Sequence, residues 1–142
     1  MQRLTISVHF HGEATQPSGE PPQVDVTSRS ESVDAQAADG SRPVLHSLVY
    51  RTHATFTGEA TFTETGTIST GDDNAELDIV TVGEGTLAPS ADAELMHGSV
   101  IWRITQGRGQ FEGASGLITS NFLLRPATGE VDERQVGVLF LP

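Results

Sequence analysis

The stretch "GRGQFEGASGLITSNF", residues 107–122, decides the fold. Gly107, Gly109, Gly113 and Gly116 surround a single phenylalanine, Phe111, and apolar residues then return at alternate positions. It reads either as a phosphate cradle or as a turn between two strands. The phosphate reading fails on context. A dinucleotide fingerprint needs a strand, then G-x-G-x-x-G, then a helix; here the spacing differs and a strand follows. A phosphate-loop lysine is ruled out as well, because the chain contains no lysine. The turn reading works physically. Glycines supply positive φ and close backbone approach, "QFEGA" makes one tight turn, and Phe111 can fold back to plug one end of a barrel.

Strands extend outward on both sides of this turn. Before it, "LMHGSVIWRIT" sets Met96, Val100, Trp102 and Ile104 on one face; after it, "LITSNFLL" does the same with Ile118, Ser120, Phe122 and Leu124. Near the N-terminus, "LTISVHFHG" alternates Leu4, Ile6, Val8 and Phe10 with polar residues. From Ala54 to Ile68 the even positions are mostly apolar or small and the odd positions mostly threonine. Period two means strand, and β-branched threonine suits the solvent face of a sheet. This run is one long strand or a hairpin split at Gly58-Glu59. Residues 44–50 carry the same phase through Val44, His46, Leu48 and Tyr50. "GDDNAE" and "RPATGE" read as turns, "LDIVTVGEGTL" as a strand, and the terminal "RQVGVLFLP", apolar on both faces, as a central or closing strand. No segment has helical periodicity. Seven or eight strands at this spacing predict an all-β fold, an eight-stranded antiparallel barrel.

The 142 residues predict one domain, residues 1–142. Residues 13–43, rich in Pro, Ser, Gly, Asp and Glu, are expected to form a long polar loop or lid after the first strand. With no cysteine, disulfides and thiolate chemistry are excluded. The formal charge of −11 repels phosphate backbones and anionic lipid, so neither nucleic acid nor membrane is an expected partner. No stretch approaches the roughly 18 apolar residues of a membrane span, and the N-terminus has no signal-type apolar core. A cytoplasmic protein is expected.

The pattern G-x-G-x-F-E-G-x-x-G, carried by Gly107, Gly109, Phe111, Glu112, Gly113 and Gly116, resembles that of allene oxide cyclases. A looser form, with Ala114 after the phenylalanine, is similar to that of dirigent proteins. "TFTGEATFTETGTI" resembles small bacterial barrels of the same superfamily. The resemblance is strongest over residues 94–124 and weaker over 44–93. It implies a calycin-like barrel of allene oxide cyclase type, usually homo-oligomeric, with an apolar cavity and no cofactor. It also implies an activity that steers a reactive small molecule by holding it in one conformation. The plant cyclases carry a pocket cysteine that this chain lacks, so no catalytic residue is carried over.

Glu64 is the one ionisable group on the even face from Ala54 to Ile68. If that face lines the barrel, desolvation raises its pKa and fits it for acid–base work; a bulge would turn it outward instead. Tyr50 and His46 share a face and could orient a polar ligand group. Phe56, Phe62, Trp102 and Phe122 could form the apolar walls of a ligand site or simply fill the interior. His9, His11 and Glu13 recur at every second position, but they lack a second ligand cluster, and no metal site is expected. The expected function is binding of an apolar small molecule, with cyclase or isomerase activity by confinement. A carrier and an oligomeric structural protein with a filled barrel are the alternatives.

Overall fold

The computed structural model describes residues 1–43 and 45–142. The alternation in the first strand sends Leu4, Ile6, Val8 and Phe10 to a common interior, each no more than 4% exposed. Eight more strands repeat the arrangement. In chain order they are β1 (Gln2–Ala14), β2 (Gln23–Ala37), β3 (Leu48–Phe56), β4 (Thr61–Thr70), β5 (Ala75–Thr81), β6 (Gly85–Pro89), β7 (Met96–Gly109), β8 (Ser115–Arg125) and β9 (Glu130–Leu141). The pairings are antiparallel, and β9 returns to pair with β1. Two short strands share one place in the ring: β4 and β7 each pair first with β6 and further along with β5. The result is the expected closed eight-stranded antiparallel barrel, and the described residues include no helix. Closure of β3 on β4 leaves no strand at an edge of the ring, although β2 beyond Arg29 pairs with β1 alone.

Residues 13–43 correct the loop expectation. β1 runs on to Ala14, and β2, with 15 residues, is the longest strand. The cause is a β-bulge. His9 pairs with Ser32 and Phe10 with Ser30, which leaves Glu31 as an extra residue. The interior face therefore changes phase, from Val26 and Ser28 before the bulge to Ala35 and Ala37 after it. Small inward residues and a mid-strand phase change hide the strand from any single-period reading. Among the described residues here, 15–22, 38–43 and 45–47 lie between strands. Val44 lies outside the described residues.

The Ala54–Ile68 run is a hairpin. β3 ends at Phe56 and β4 starts at Thr61, with Phe56 opposite Phe62 and Ala54 opposite Glu64. Even-numbered residues face inward on both arms, which is why the run also reads as one strand.

One end of the barrel is solid. Leu48, Ile68, Leu77, Ile118 and Leu139 are each at most 1% exposed there, and burying each such side chain fully contributes roughly 1.5–3 kcal/mol. Phe111 completes this plug at 5% exposure. It sits in the turn between β7 and β8, flanked by Gly109 and Gly113 at φ 64° and 76°, a region side chains rarely adopt.

Candidate functional site

The other end is hollow. A cavity of about 250 Å³ opens there, walled by Phe56, Phe62, Leu87, Met96, Phe122 and Leu124. Its rim is formed by the connections that follow β1, β3 and β8, through Thr15–Pro17, Glu59 and Pro126. Of the expected apolar wall, Phe56, Phe62 and Phe122 line this space. Their rings meet edge to face, Phe62 lying 6.3 Å from Phe56 and 6.2 Å from Phe122. Two inward glycines make room for them: a Cβ on Gly85 would strike the Phe62 ring, and one on Gly98 the Phe122 ring.

Trp102 is placed elsewhere. It is fully buried in the core below the cavity, 5.5 Å from the Tyr50 ring, so it supports the floor and is not part of the ligand wall. His46 also departs from expectation. It is exposed on the connection before β3 and does not approach Tyr50 as a partner. Its apparent phase ends because β3 begins only at Leu48.

Glu64 points inward, 4% exposed, and lines the cavity floor with Tyr50 and Glu133. The Tyr50 hydroxyl donates to Glu64 Oε2 at 2.8 Å, and the Thr52 hydroxyl donates to the same oxygen at 2.5 Å. Thr81 fixes the backbone beneath: its hydroxyl accepts from the Glu64 N–H at 2.6 Å and donates to the Glu64 carbonyl at 2.9 Å. Burial pushes the Glu64 carboxyl upward, while the donors Thr52 and Tyr50 favour its charged form. The Trp102 indole N–H acts in the same sense, although it completes no hydrogen bond of normal geometry.

Glu133 on β9 is the residue that the sequence reading missed. It is 2% exposed and accepts from the Ser120 hydroxyl at 2.7 Å and from Gln135 Nε2 at 2.8 Å, both at Oε2. Burial, and then the charge of Glu64, push its carboxyl up to about 8. The Tyr50 hydroxyl is held far above its usual range by burial and by both carboxylates. A signal for Glu133 existed. "EVDERQVGVLFL" alternates, and its odd positions Val131, Glu133, Gln135 and Leu139 are the buried ones. Two polar residues on the interior face drew attention to the outer valines.

The remaining histidines belong to the outer face. His9 bonds Asp132 at 3.0 Å, His11 bonds Glu130 at 3.1 Å, and His53 bonds Asp25 at 2.7 Å. These cross-strand pairs tie β1 to β9 and β2 to β3.

The barrel is thus closed, solid at one end and hollow at the other, with two sequestered carboxylates on the floor of the hollow. A solved pterocarpan synthase dirigent protein shares this fold, with a TM-score of 0.52 over 97% of this chain and 89% of that one, at 14% identity. The chain is thus a dirigent-like barrel. No protein-family profile matches the sequence, and no curated protein matches it. No helix of the described residues is long and apolar enough to cross a membrane.

Proposed function

We propose that the barrel binds an apolar small molecule in its cavity and promotes its isomerisation or cyclisation without a cofactor. The carrying observation is the pair of buried carboxylates with unequal surroundings. Glu64 receives donors that favour its anion; Glu133, pushed up to about 8, holds a proton at neutral pH. Such a pair separates acid from base. Glu133 gives a proton to a basic atom of the bound molecule, and Glu64 takes one from an acidic position. The sum is a shifted bond with no net gain or loss of protons. Tyr50, bridging to Glu64, is a positioning residue. The walls of Phe56, Phe62 and Phe122 hold the molecule in one conformation, which supplies the entropic part of the rate. The cavity is at the small end of ligand sites, which run to roughly 300–1,000 Å³, so a compact molecule is indicated.

A carrier would use the same walls but has no use for two buried carboxylates, each of which costs stability. The ring closures of allene oxide cyclases and the coupling control of dirigent proteins are related chemistry. The likeness to a pterocarpan synthase is consistent with this reading.

Homo-oligomerisation belongs to the same proposal. Ile101, Leu117, Val136 and Phe140 are 37–50% exposed on the outer face of β7, β8 and β9. On a chain of net charge −11, a contiguous apolar stripe is suited to a second copy.

The test is native mass spectrometry of the purified protein, followed by return of any retained compound to fresh protein. The expected result is an isomer of unchanged mass, formed at least tenfold more slowly by Glu64→Gln and by Glu133→Gln. Recovery of the compound unaltered would leave a carrier and remove the enzyme.

A further inference from the structure

The cavity carries a charge preference that its walls and floor specify together. Glu59, Glu64 and Glu133 line it, and among the described residues none of the eight arginines and none of the five histidines does. The arginines all lie outside the buried class. A molecule with a carboxylate or phosphate head would thus set its charge beside the Glu64 carboxylate and meet no counter-ion. The carboxylates themselves are half used. The hydrogen bonds that protein groups give them fall on Oε2 of Glu64 and Oε2 of Glu133. Oε1 of each accepts no such bond and is not among the sealed, unpartnered polar atoms, which are Ser28 Oγ and Trp102 Nε1. Both residues line the cavity, and Oε1 is the oxygen of each that no protein group occupies with a hydrogen bond. The rings of Phe62 and Phe122 line the same cavity, and aromatic rings also favour a cation.

We propose that the ligand is an apolar amine, bound as its ammonium ion with N–H groups directed at the open Oε1 atoms of Glu64 and Glu133. This rests on the cavity being a ligand site, and it names the class of molecule that the site takes. The proton balance is local. An amine entering neutral receives the proton that Glu133 holds, which leaves an ammonium ion and two carboxylates. The transfer creates the second carboxylate, and the ammonium ion that forms with it faces both negative charges and offsets their mutual repulsion. A neutral ligand leaves Glu133 protonated and gains no charge pairing, and an anion is repelled by the Glu64 carboxylate.

Three compounds on one skeleton test this: 2-phenylethylamine, 2-phenylethanol and 3-phenylpropionate. Binding is measured calorimetrically at pH 7 in 150 mM salt, where weak attraction to the acidic surface is screened. The Met96 methyl resonance reports on the cavity wall. The amine is expected to bind at least tenfold more tightly than the alcohol and to shift that resonance, and the propionate is expected not to bind. In Glu64→Gln and Glu133→Gln the amine should fall to the level of the alcohol, whose own binding persists. Equal binding of amine and alcohol to the unaltered protein overturns the amine proposal and leaves the cavity a ligand site. An amine advantage that survives both substitutions overturns it too, by placing the amine elsewhere. If none of the three binds or moves the Met96 resonance, the ligand site itself falls.

Discussion

Tyr50 donates its phenolic hydrogen to Glu64 Oε2 at 2.8 Å from the neighbouring arm of one hairpin, although Tyr50 itself lies opposite Ile68. The tyrosine reaches back along β4, past Gly66, where no side chain intervenes between it and the carboxylate's strand position. Removing the hydroxyl in Tyr50→Phe leaves Glu64 with fewer donors and an unchanged burial. Hydrogen bonds to charged groups contribute about 1.5–3 kcal/mol, and a loss of this order is expected in urea denaturation at pH 8. A midpoint unchanged from the parent protein would show that the bond contributes nothing.

The raised Glu133 carboxyl makes stability fall as pH rises. Its folded pKa of about 8 stands above the ordinary 4.5, so the folded state holds the proton where the unfolded chain has lost it. Its stabilising effect is complete below about pH 4.5 and is lost progressively up to about pH 8. On linkage grounds the span corresponds to on the order of 5 kcal/mol, and Glu64, also raised, acts in the same direction. Denaturation midpoints taken from pH 5 to pH 9 should decline, and Glu133→Gln should flatten most of that decline. Parallel profiles for the two proteins would contradict the assignment.

Gly98→Ala is expected to damage the wall and spare the fold. The added methyl meets the Phe122 ring, which must swing into the cavity to accommodate it. Overpacking of this kind typically costs about 1–3 kcal/mol. Thermal denaturation should show that loss, and 2-phenylethanol should bind at least several-fold more weakly. Undiminished binding would mean that Phe122 has another place to go.

The outer stripe predicts the assembly state. Leu117 is 50% exposed and lies opposite Val138 on β9. Light scattering on the unaltered protein should give a multiple of the 15.1 kDa chain mass. Leu117→Glu should shift it toward one chain mass with secondary structure retained. A single chain mass for the unaltered protein would end the homo-oligomer reading.

Legibility in the sequence followed the regularity of the alternation. β1, the β3–β4 hairpin and β8 keep one phase over their inward residues, as does β7 up to its bulge after Ile104, and each was readable as a strand. β2 was not, because the bulge at Glu31 resets its phase and its inward residues are small. The position of Glu64 followed from its even-face phase, which the turn after Phe56 preserves. Glu133 escaped because Glu133 and Gln135 put polar side chains on the inner face of β9 while Val136 and Val138 lie outside, so its alternation reads with the wrong face inward. His46 shows the opposite failure, a correct parity in a segment that is not yet strand.

The floor residues Tyr50, Glu64 and Glu133 sit within strands, whereas Thr15–Pro17, Glu59 and Pro126 at the entrance sit on hairpin connections. Connections tolerate insertion and exchange far better than the ladders they join. Under the proposed function, descendants of this chain can therefore be re-addressed to new molecules by editing the doorway alone, with the chamber inherited intact.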